Sequence, residues 1–106
     1  MAGEKSRSMI HQDLQQARRQ AQKLEDAAAA IRRERNRMEE CRSDVAQAWK
    51  SDSSARFTGK MSAVAEDLGK IEAQLTKTAR VIRENAQTIY NAEMEAKRLA
   101  DIRNHS

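Results

Sequence analysis

Ala48-Trp49-Lys50-Ser51-Asp52-Ser53-Ser54-Ala55-Arg56-Phe57 is the stretch that sets the fold. On both sides of it apolar residues recur at alternating spacings of four and three. Upstream the run is Ile10, Leu14, Ala17, Ala21, Leu24, Ala28 and Ile31; after an interruption at Arg35 it resumes at Met38 and Val45 and ends on Trp49. Downstream it is Phe57, Met61, Val64, Leu68, Ile71, Leu75, Thr78, Ile82, Asn85, Ile89, Ala92, Ala96 and Leu99. Such spacing belongs to a helix that packs along one stripe. Between the runs the rhythm stops and four residues able to cap a helix cluster, so Asp52 or Ser53 is the expected N-cap. The reading is a single domain over 1–106, with helix 1 about 8–48, a turn at 49–53 and helix 2 about 54–103. A turn this short makes the helices antiparallel neighbours. The expected fold is all-α, an antiparallel two-helix hairpin.

Composition agrees. The 106 residues contain no proline and three glycines, with 34% charged against 3% aromatic residues. Strong helix formers dominate and β-formers are scarce, which excludes most β architecture. Gly59 and Gly69 inside the second run each weaken it by about 1 kcal/mol relative to alanine. Met1 to Ser8 reads as a small polar segment that frays. The first nineteen residues carry no apolar core of a signal peptide, and the longest purely apolar run, Ala27 to Ile31, is far too short to span a bilayer. No stable membrane insertion is expected, and a chain of this kind leaves the cell only by a specialised route.

Two helices alone cannot cover the stripe. Beside it in helix 2 lie Ala65, Ala79, Ala86 and Ala100 on one flank and Val81 and Ile102 on the other, so the apolar face is wider than a two-stranded seam requires. Ala17, Ala21 and Ala28 would let one neighbour approach closely. The expectation is dimerisation into a four-helix bundle, with itself or with a related hairpin. The interface residues would be Leu24, Ile31, Arg35, Met38, Arg42 and Val45 of helix 1 with Phe57, Val64, Leu68, Ile71, Leu75, Ile82 and Ile89 of helix 2. Arg35 and Arg42 sit on stripe positions, where they snorkel or meet an acid on a partner helix and set register.

The turn also carries a resemblance. Ala48-Trp49-Lys50-Ser51 followed by a serine-rich cap and Phe57, near the midpoint of a chain of about this length, resembles the WXG100 (ESAT-6-like) family, in which Trp-x-Gly joins two helices. Ala86-Gln87-Thr88-Ile89-Tyr90-Asn91-Ala92-Glu93 is similar to Gram-positive members. Ser51 stands where the family usually has glycine, and serine tolerates a tight turn at a cost. The family's export signal, Tyr-x-x-x-Asp/Glu, would fall on Tyr90, but Met94 occupies the acidic position; Glu93 remains on Tyr90's helix face. The resemblance implies a small secreted substrate or co-secreted partner of a bacterial type VII (ESX-like) secretion system, cytoplasmic before export and recognised by a membrane ATPase. It implies, as an alternative, an adaptor or chaperone for the helical N-terminal domain of a larger toxin. An intracellular coiled-coil scaffold is the rival from another class.

Other features read as structural. The net charge is +4 with a pI near 9.6, which suits an acidic partner. Arg32-Arg33-Glu34-Arg35-Asn36-Arg37 lacks interleaved aromatics and sits beside Glu34, Glu39 and Glu40, so it reads as a solvated face and no nucleic acid is expected. Trp49 plugs the end of the bundle or docks on secretion machinery. Cys41 reads as a small semi-buried residue. His11 and His105 have no metal-ligand spacing around them, no cofactor is indicated, and no nucleophile has a base and an orienting group. The chain is not expected to be an enzyme.

Overall fold

The computed structural model describes residues 5–105. It is a helical hairpin of two helices, α1 (Arg7–Ala48) and α2 (Asp52–Asn104), with no strand among the described residues. Ser6 caps α1: its Oγ accepts from the Met9 amide at 3.1 Å, which satisfies a first-turn donor that has no helical partner. The fraying expected for Met1 to Ser8 therefore gives way at Ser6; residues 1–4 lie outside the described residues.

The cap of α2 is Ser51, one residue before the expected Asp52 or Ser53. The Ser51 Oγ accepts from the Ser54 amide at 3.2 Å while the Ser54 Oγ accepts from the Ser51 amide at 3.0 Å. The Ser54 hydroxyl donates to the Ser51 carbonyl at 2.8 Å, and Ser54 is buried. This is a reciprocal capping box with serine in place of the usual glutamate. It starts the helix at residue 52 rather than 54 and leaves 49–51 as the link between the helices. Glycine at position 51 could not supply the oxygen.

The chain divides into two compact units. In the turn unit, Leu24–Lys77, α1 turns its stripe inward as the spacing predicts: Ala28 is buried, and Leu24, Ile31, Arg35, Met38, Arg42 and Val45 are half-buried. In the end unit, Met1–Lys23 with Thr78–Ser106, α1 buries Ile10, Leu14 and Ala21. The antiparallel order there is fixed by polar pairs whose numbers rise in one helix as they fall in the other: Arg7 with Asp101, His11 with Tyr90, Arg18 with Gln87, and Gln22 with Arg83.

α2 departs from the expectation. Its residues fall into three seven-residue columns. The outer column is Phe57, Val64, Ile71, Thr78, Asn85, Ala92 and Leu99; the middle one is Met61, Leu68, Leu75, Ile82, Ile89 and Ala96; the inner one is Thr58, Ala65, Glu72, Ala79, Ala86, Glu93 and Ala100. The sequence rhythm predicts outer plus middle as the buried seam. In the turn unit it is instead the inner and middle columns that are buried or half-buried, and Phe57, Val64 and Ile71 are exposed. At ~100° per residue, the face turned to α1 lies about 50° round the helix from the predicted one. In the end unit Ala79 is buried and Ala86, Glu93 and Ala100 are half-buried, while every outer-column residue is exposed. The alanine column taken for a flank is the surface on which α1 rests. Small side chains let backbones approach closely, and Ala21 and Ala79 are 0% and 1% exposed.

Candidate functional site: an open apolar column on the second helix

The turn unit places Phe57, Val64 and Ile71 two turns apart along one side of α2, at 46%, 48% and 49% exposure. Met61, Leu68 and Leu75 of the adjoining column are half-buried, so they reach both α1 and the open side. Large apolar side chains scattered singly on a surface need no explanation, but a column repeating every seven residues beside half-buried leucines forms a continuous strip. Each of these side chains contributes roughly 1.5–3 kcal/mol when fully buried. The end unit has its own exposed apolar residues, among them Ile89 and Leu99.

One acid crosses the inner column. Glu72 is buried at 8% exposure, with its Oε1 2.7 Å from Arg32 Nε and its Oε2 3.0 Å from Arg35; Oε2 carries no aligned hydrogen bond. Gly69 makes this possible. A Cβ built there would lie 2.6 Å from an Arg35 guanidinium nitrogen, so the missing side chain is the space through which Arg35 reaches Glu72. The acid sought for Arg35 on a partner helix lies in the chain's own second helix. Arg42 is answered within α1 by Glu39, whose two carboxylate oxygens it binds in a fork; the hydrogen bonds hold the Glu39 carboxyl below its ordinary range and push the Arg42 guanidinium up. Glu72 itself was missed, although Arg35 on a stripe position signalled that an acid was needed.

Tyr90 and Glu93, the pair carried over from the export signal, meet the first turns of α1 and Lys5 just before it in the end unit. The Tyr90 hydroxyl lies 3.2 Å from His11 Nε2, with the rings edge to face at 5.0 Å. Glu93 is 3.2 Å from Lys5 Nζ, which also donates to Asp13 at 2.8 Å; these hydrogen bonds, that of Asp13 foremost, raise the Lys5 pKa. Tyr90 and Glu93 line a hollow of about 250 Å³ with Ile10 and Leu14. They are half-buried, not a fully solvated helix surface.

Trp49 is 52% exposed. It lies in the three-residue link between α1 and α2, with half of its surface open to solvent in the single hairpin. Cys41 is exposed rather than semi-buried, since it falls one residue short of the inward-facing Arg42. Among the described residues no group of three or more His, Cys, Asp or Glu is placed to hold a metal ion, and no helix is long and apolar enough to cross a membrane. Compared with family models, curated proteins and solved structures, the chain matches none of them.

Proposed function

We propose that this chain works by helix-to-helix association, as a small secreted substrate or co-secreted partner of a type VII (ESX-like) secretion system. One observation carries the association: the outer column of α2 keeps large apolar side chains in water while the alanine-rich inner column takes the place against α1. The assignment to secretion rests on the turn's resemblance to the WXG100 family. It is supported by an indole that stays available at that turn, and by Tyr90 and Glu93 lying together on the last third of α2. The protein binds rather than catalyses.

In a host with a type VII pathway, Tyr90→Ala combined with Glu93→Ala is expected to abolish export while leaving helicity and assembly intact. Unimpaired export would remove the signal assignment. The net charge of +4 favours a second reading, an adaptor that pairs with an acidic helical N-terminal domain of a larger toxin. Co-expression with such a domain separates the two, because an adaptor gains stability only from that partner.

A further inference from the structure

We infer that the occupant of the open column in the turn unit is a second copy of this chain, packed antiparallel about Val64; this rests on the association reading above. Val64 is the midpoint of the exposed trio, with Phe57 and Ile71 each about 10.5 Å away along the helix. A two-fold axis beside it sets Val64 against its own counterpart and Phe57 of each copy against Ile71 of the other. It also brings Met61 level with the other copy's Leu68, joining the half-buried column to the contact. All these pairings are apolar on both sides.

The charges on the other flank match the same axis. Lys60 and Asp67 lie beside the outer column, both exposed, and neither has an ion pair within the chain among the described residues. In an isologous antiparallel contact the same flank of each helix meets itself. Lys60 of each copy then comes level with Asp67 of the other, to within about 1.5 Å along the axis, and the pair forms twice. Alignment about Thr78 instead would oppose Ile71 with Asn85 and ask Lys60 to find Glu95, which Arg98 already holds at 2.6 Å. The Val64 alignment pairs Lys60 with Asp67 and sets each of the apolar side chains named above against another.

The test uses the full chain with Cys41→Ser, so that only an introduced thiol reports. Val64→Cys is expected to give a disulfide-linked dimer on mild oxidation, whereas Thr78→Cys is not. Lys60→Glu and Asp67→Lys should each raise the self-dissociation constant by roughly tenfold, since each replaces two attractions by two repulsions. The double variant, or an equimolar mixture of the two single ones, should recover the original affinity. Preferential linkage through Thr78→Cys, or charge variants that do not rescue one another, would overturn the proposal. Absence of self-association would overturn it too. In that last case Val64→Asp decides separately on the association reading: loss of export or of toxin-domain binding keeps that reading with a different partner, and unchanged behaviour removes both.

Discussion

Gly59 and Gly69 carry the same helix penalty in α2, yet their surroundings answer an added methyl in opposite ways. At Gly59 a Cβ meets nothing within 4 Å, so Gly59→Ala is expected to raise stability by roughly 0.5–1 kcal/mol. At Gly69 it collides with the Arg35 guanidinium and pushes it off a buried carboxylate, so Gly69→Ala should give no gain or a loss of about 1 kcal/mol. Against an Arg35→Ala background the gain should return, and thermal melts of the four variants check the pattern. Arg7 and Asp101 offer a pH test. The Arg7 hydrogen bond holds the Asp101 carboxyl below its ordinary value of 3.8. A carboxyl depressed in the folded state stabilises above its unfolded pKa and loses that contribution as pH falls through the folded one. Wild type should therefore exceed Arg7→Gln in melting temperature at neutral pH, with the difference closing in strong acid; a constant difference would deny the pair any role. Single residues of this kind were only partly readable beforehand. Arg35 on a stripe position announced an acid, but nothing in the spacing said that Glu72, on an alanine column, was that acid.

α1 and α2 show what periodicity decides about an element and what it leaves open. Every stripe position of α1 from Ile10 to Val45 is buried or half-buried, because that helix has one apolar face and one neighbour to put it against. α2 has three adjacent columns that exclude or tolerate water, and the count of fours and threes cannot say which two face α1. Packing decided it: the inner alanines permit a closer approach than Phe57, Val64 and Ile71 would, and the larger side chains were left outside. The helix start was misplaced for a related reason, since Ser51, Asp52 and Ser53 are all good caps and only the partner at Ser54 selects among them. Neighbouring positions give the check. Ala79 is 1% exposed, so Ala79→Leu should overpack the hairpin and cost about 1–3 kcal/mol. Thr78 is exposed on the outer column, so Thr78→Leu should leave the hairpin's stability unchanged. Equal melting temperatures for the two variants would contradict the assignment of faces.

The whole chain leaves 7895 Å² accessible, whereas a folded monomer of 12.0 kDa is expected to leave roughly 6,000 Å². The excess is larger than the ~800 Å² each partner contributes to a standard protein interface. Among the described residues no large side chain is fully buried, and three of the five buried apolar residues are alanines. On the association reading proposed above, a second molecule supplies the missing burial. Light scattering together with circular dichroism, over a dilution series at micromolar concentrations, puts this to the test. The purified chain should show twice its 12.0 kDa mass and lose helicity as dilution separates the copies; a single-chain mass with undiminished helicity at every concentration would contradict it.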